Sequence, residues 1–183
     1  MRHVLALLAF MHLSAFAASE TPEAAAEAFY RWVISYRSGG LPSAVQRQQL
    51  ARILTPELVK LLAAASETER RCVARLPPDM KGNVWEGNLF VSNYEGATEV
   101  WYGESRAVGR DVIIDANLLD VDDKLPKGDR YRTYIWQDSV RLRKTKQGWL
   151  VADVQRGEAA GTPRTETLTK MLVNYIKEGC GGY

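Results

Sequence analysis

The stretch YRTYIWQDSVRLRKTKQGWLVADVQ, residues 131–155, decides the fold. Its period is two. Tyr134, Trp136, Val140 and Leu142 fall on one face, and Gln137, Ser139, Arg141 and Arg143 on the other. Alternation of this kind predicts a half-buried strand. Lys146-Gln147-Gly148 has the residues of a hairpin turn, so Trp149 to Gln155 returns as the next strand. Upstream, Val100, Tyr102 and Val108 share a face of a strand beginning near Thr98, and Val112, Ile114, Ala116 and Leu118 share a face of another. Asp120 to Pro126 reads as a polar connection.

Before these strands the period is helical. Thr21-Pro22 and Thr55-Pro56 each pair a capping threonine with a proline suited to the first helical position, and Thr162-Pro163 repeats the signal near the end. After Thr21, Phe29, Trp32, Val33 and Tyr36 form one apolar face that stops at Gly39-Gly40. Ser43 to Leu54 carries Leu50, Ile53 and Leu54 on one side. After Thr55 come Leu58, Leu61, Leu62 and Ala65, with Ser66 and Glu69 spaced as a capping box that predicts a restart or bend before Cys72. Pro77-Pro78 ends the pattern. A glycine- and asparagine-rich loop follows, holding Trp85, Leu89, Phe90 and Tyr94. The last helix, after Thr162, has Leu168, Met171, Leu172, Tyr175 and Ile176 on one stripe. Helices, then strands, then a closing helix predict an α+β domain with segregated elements.

The first residues read differently. Arg2 precedes an almost unbroken apolar run, Val4 to Leu13, and Ala15-Phe16-Ala17 has the small-x-small pattern of a signal cleavage site. A run of about ten to thirteen residues falls short of the ~20 that span a bilayer. The expectation is a signal peptide over residues 1–17 and a single domain over residues 18–183. It is exported to the periplasm, with no membrane anchor after cleavage. Both histidines, His3 and His12, lie in the leader, so the mature chain has no imidazole to act as base, shuttle or metal ligand. The formal charge of the full chain is only +2, which gives no argument for nucleic acid. Cys72 and Cys180 are an even pair in an exported chain, which favours a disulfide between them; two buried free thiols is the alternative.

TPEAAAEAFYRWV (residues 21–33) and GWLVADVQRG (residues 148–157) resemble the nuclear transport factor 2-like (cystatin-like cone) superfamily. Glu86-Gly87-Asn88-Leu89-Phe90 and Trp149-x-hydrophobic-x-Asp153 bring the chain nearer to an exported bacterial family of unknown function within it. The resemblance implies N-terminal helices packed on a strongly curved, cone-shaped antiparallel sheet with a C-terminal helix. It also implies that any acid/base residue sits inside the mouth of the cone. It speaks to fold more than to activity.

Asp138 is the carboxylate of most interest, because alternation puts it beside Trp136 and Val140. Next to aromatic surface it has the setting of a general base, with Tyr102 and Tyr134 lining the same cavity. The plainer reading is a carboxylate at a strand bulge or paired with an arginine. Asp153 reads as fixing a hairpin. Asp115, Asn117, Asp120, Asp122 and Asp123 form an acidic cluster, but Leu118 and Leu119 interrupt it and the loop glycine of a calcium site is missing, so no metal is expected. No phosphate loop, GxSxG, HExxH or CxxC motif is present, and no cofactor is implied. Arg141, Arg143, Lys144 and Lys146 make a basic edge that is either a solvated face or, with Trp85, a protein-docking surface.

Three functions remain open on this reading. The first is a non-enzymatic binding or protein-interaction module whose partner is a protein or small-molecule ligand in the periplasm. A sharper form of it is an immunity protein that neutralises an enzyme toxin. The second is a small-molecule enzyme using Asp138. The third is a subunit of an envelope assembly.

Overall fold

The computed structural model describes residues 19–36, 39–77, 85, 87–157 and 166–180. The expected leader and the Thr162-Pro163 cap lie outside them. Three helices come first, α1 (Pro22–Ser35), α2 (Ala44–Leu50) and α3 (Pro56–Val73). Four strands follow, β1 (Glu99–Val108), β2 (Asp111–Val121), β3 (Thr133–Thr145) and β4 (Gly148–Gln155), and then α4 (Leu168–Glu178). The strands form one open antiparallel sheet in the order β1-β2-β3-β4. The α+β class is therefore as expected. Among the described residues no helix is long and apolar enough to cross a membrane.

Local chemistry sets the helix starts. Thr21 accepts a hydrogen bond from the Ala24 amide (3.2 Å), and Ser43 and Gln46 close a reciprocal capping box on α2. Thr55 does something else: it is buried, and its amide donates to the Val151 carbonyl of β4 (2.8 Å). The bend expected at Ser66 is not there. The Ser66 hydroxyl bonds back to the Leu62 carbonyl (2.9 Å) and accepts from Arg47 (2.8 Å), so α3 runs on unbroken to Val73. Helix α4 is capped by Thr167, whose side chain accepts from the Lys170 amide.

The inner face of the sheet carries Ile114, Ala116, Leu118, Trp136, Val140, Leu142, Val151 and Val154 into the core. Helix α1 lies against β2, β3 and β4, while α4 packs on α3 and β4. Two bulges alter the alternation read from sequence. Gly103 and Glu104 both face Asp115, so the side of β1 changes: Val100 and Tyr102 share the inner face, but Val108 lies opposite Asp111 on the outer one, 46% exposed. One extra residue reverses every side chain after it. A second bulge follows Val151 in β4, and Asp153 there accepts from Thr169 at the start of α4 (2.9 Å) rather than fixing the hairpin. Tyr134 keeps its expected side, stacked on Trp136, yet remains 43% exposed because its strand partner Asp120 is at the end of β2 that the core does not reach.

The loop after α3 enters the core. Leu89, Phe90 and Val91 are buried, and the Phe90 ring meets Phe29, Trp32 and Tyr36 of α1 and its end edge-on. Asn88 shapes the turn by accepting from the Phe90 amide (2.9 Å). Cys72 and Cys180 are joined in a disulfide that ties the end of α3 to the residue after the α4 cap, with Cα atoms 5.3 Å apart.

Candidate functional site

Asp138 is 1% exposed and every contact it makes is structural in kind. One oxygen, Oδ1, accepts from the Gly157 amide (2.7 Å) and from the Ser92 hydroxyl. The other, Oδ2, accepts from the Ser92 amide (2.9 Å) and from Trp136 Nε1 (3.1 Å). Four donors thus meet one carboxylate, drawn from β3, from the loop after α3 and from the segment after β4. The register of β2 against β3 is unbroken at this point, and Asp138 forms no ion pair among the described residues. So neither a bulge nor an arginine explains it. Two backbone amides, the Ser92 hydroxyl and the Trp136 indole do, since a buried polar group is costly unless it is hydrogen-bonded.

Around it, Arg156 donates to the Ser92 carbonyl (3.3 Å) and touches the Met171 sulfur (3.4 Å), leaving its Nε buried without a partner. Tyr30 of α1 is fully buried with its hydroxyl unpaired, and burial first, then the nearby Asp138 charge, pushes its phenol well above its usual range. Tyr102 packs its ring 6.2 Å from Tyr30; burial, reinforced by Glu27 and opposed by Arg31, pushes it up to about 12. Both phenols are neutral at physiological pH.

Three of the four residues expected to line a cavity are therefore neighbours. Tyr134 stacks on Trp136 (5.6 Å) and Trp136 bonds Asp138, while Tyr102 packs on Tyr30 instead. Of the four, Asp138 alone lines the cavity beside it; Tyr102, Tyr134 and Trp136 do not. The cavity that reaches Asp138 measures about 80 Å³ and is lined by polar groups, Arg106, Asp115, Gln155 and Arg156 among them. That is room for a few waters, against the roughly 300–1,000 Å³ of ordinary ligand sites.

The expected docking residues do not come together. Arg143 is committed to Asp111 through two bonds, Nε to Oδ1 at 2.8 Å and Nη2 to Oδ2 at 2.9 Å. Those bonds hold the Asp111 carboxyl below its usual range against the opposing effect of burial. Arg141 is exposed on the same outer face. Trp85 is half-buried and stands edge-on to Tyr175 of α4 (5.2 Å), on the helical side. The acidic cluster is dispersed: Asp115 binds Arg106 (2.9 Å) and Ser139 (2.7 Å), and Asp123 binds Arg132 (2.6 Å). Among the described residues no three His, Cys, Asp or Glu side chains are placed to share a metal ion.

A larger space lies elsewhere. Between α1 and α2 a groove of about 440 Å³ is lined by Trp32, Val45, Gln48, Gln49, Arg52 and Ile53. Trp32 is held rigidly there, stacked on Tyr36 (4.8 Å), edge-on to Phe90 (5.3 Å) and donating to Gln49 (3.3 Å). Sequence reading assigned Trp32 to the core stripe of α1, and the polar run Gln46 to Gln49 offered no sign of a binding wall. Ser92, Gly157 and Tyr30 were missed as well. The one pointer was Arg156-Gly157, which closes the GWLVADVQRG stretch.

Comparison of the chain with protein-family models, with curated proteins and with solved structures gives no match.

Proposed function

We propose that this protein is an exported, non-enzymatic binding or protein-interaction module, and that the groove between α1 and α2 is where its partner or ligand sits. The groove carries the proposal. Its volume of about 440 Å³ falls within the range of ligand sites, and its lining combines three apolar residues, Trp32 among them, with Gln48, Gln49 and Arg52. A ring fixed by three contacts loses little freedom on binding, which favours affinity. Export is supported by the leader and by the Cys72–Cys180 bridge, since disulfides persist in oxidising compartments. Kinship with the nuclear transport factor 2-like superfamily, and the cone shape that goes with it, belong to the same proposal. The order of helices and strands supports them.

The enzyme alternative has less behind it. A general base must reach its substrate, and both Asp138 oxygens already face protein donors.

Two groove substitutions test the proposal. Val45 is 66% exposed and Arg52 is exposed in the turn after α2, so Val45→Glu and Arg52→Glu leave the core untouched. Immobilised native protein is expected to retain a component of the host's envelope extract that both variants lose by about tenfold or more, at unchanged melting temperature. Retention unaffected by either change would contradict the groove. Turnover of a small molecule abolished by Asp138→Asn would contradict the non-enzymatic reading.

A further inference from the structure

Strand β1 is the open edge of the sheet. The opposite edge, β4, is covered: Trp149 bonds Ser19, Val151 bonds Ile53 and Thr55, and Arg156 bonds Glu166. Nothing among the described residues pairs with the outer side of β1. An open edge invites another strand, and β1 lacks the lysine or proline that commonly discourages one. Its guards are three charged residues, Glu99, Glu104 and Arg106, and its bulge, and the position of that bulge changes its meaning.

Gly103 and Glu104, the bulged pair, are the fifth and sixth residues of a ten-residue strand. On one side of them the order is Glu99 outer, Val100 inner, Trp101 outer, Tyr102 inner; on the other it is Ser105 inner, Arg106 outer, Ala107 inner, Val108 outer. The pattern is a palindrome. An antiparallel copy of β1 laid alongside in full overlap therefore meets it with every pair on the same face, and the two bulges fall opposite each other on the two-fold axis. Without the bulge the same overlap would set inner residues against outer ones along its whole length.

Apart from Glu104, which this register sets next to the partner's Glu104 at the axis, the side chains fit it. Trp101 (44% exposed) comes opposite the partner's Arg106, an arrangement that suits a cation over an indole. Glu99 comes diagonal to the partner's Arg106, and beyond the strand Arg110 extends the basic end toward the acidic start of the other copy. Val100 and Tyr102 come opposite the partner's Ala107 and the partner's Ser105. We propose that two copies of this chain pair through β1, antiparallel and in full overlap, joining their sheets into one. The proposal does not depend on the groove.

The test is the molar mass of the oxidised protein by light scattering across a concentration series. The native chain is expected to approach twice the mass of one chain as concentration rises. Arg106→Glu and Glu99→Arg should each weaken association by about tenfold or more, and the double exchange should recover it. Because Arg106 also binds Asp115, a second readout is needed. Glu99→Cys and Val108→Cys proteins, mixed, should form a disulfide between chains that neither forms alone. A chain that stays single at every concentration overturns the proposal. So does a dimer that the charge changes leave intact, or a mixture that does not cross-link.

Discussion

Breaking the Cys72–Cys180 bridge is expected to lower the unfolding free energy by about 4–5 kcal/mol. The bond closes a separation of 108 residues that contains the whole sheet, so it removes a large share of the unfolded chain's freedom. It also acts locally. Helix α4 rests on α3 and β4, and without the bond the chain end behind α4 is held by packing alone. For a domain of this size the change corresponds to a fall in melting temperature on the order of 10 °C. Urea unfolding with and without reductant reads it directly, and a Cys72→Ala/Cys180→Ala protein should agree with the reduced native chain. An unchanged midpoint would mean that the unfolded chain is compact enough for the crosslink to restrict nothing.

Gly157→Ala is expected to cost about 3–5 kcal/mol, an unusual loss for one methyl group. A Cβ at this position would overlap the Gln137 carbonyl oxygen and lie 2.8 Å from its carbon, and this obstacle is backbone rather than a side chain that can swing away. The segment must then withdraw from β3. In doing so it loses the Gly157 amide bonds to Asp138 (2.7 Å) and to the Ser92 hydroxyl (2.8 Å). Gly109→Ala is the control. There φ is +61° and nothing lies within 4 Å of the added carbon, so only the backbone preference is lost, about 1–2 kcal/mol. Equilibrium unfolding of the two variants should separate by a clear margin. Equal losses would show that the approach of Gly157 to β3 is loose.

The strands were legible because their period is two and their turns are short. Ile114 to Leu118 and Trp136 to Leu142 show the burial their alternation implies, whereas Val112 is only partly buried and Ile113, on the other face, is buried. One failure is the bulge in β1: it is a single extra residue, and its local sign, a lone glycine at Gly103, was not read as one. Val108 was accordingly placed on the wrong side. Ser66 misled for another reason, since the same serine caps a helix start or bonds back within a helix depending on neighbours far away in the chain, here Arg47. The disulfide was legible from count and setting alone.

Less of the site was legible. Alternation brought Tyr134, Trp136 and Asp138 together, because residues two apart in a strand share a face. The donors that occupy Asp138 were not visible: Ser92 is 46 residues away in a loop, and Gly157 lies past the end of a strand. Pairings of that kind depend on how the loop after α3 folds into the core. The groove was hidden for a different reason, since Trp32 serves the core with one side of its ring and the surface with the other.

The central claim is that Asp138 holds three segments together and takes no part in binding or turnover. Equilibrium unfolding of Asp138→Asn at neutral pH, read beside partner retention at the groove, tests it most directly. An amide in place of the carboxylate sets an N–H group against donors that already point inward, so at least one buried donor goes unpaired. The expected result is a loss of about 1–3 kcal/mol with retention unchanged. An unchanged midpoint together with lost retention or lost turnover would contradict the claim.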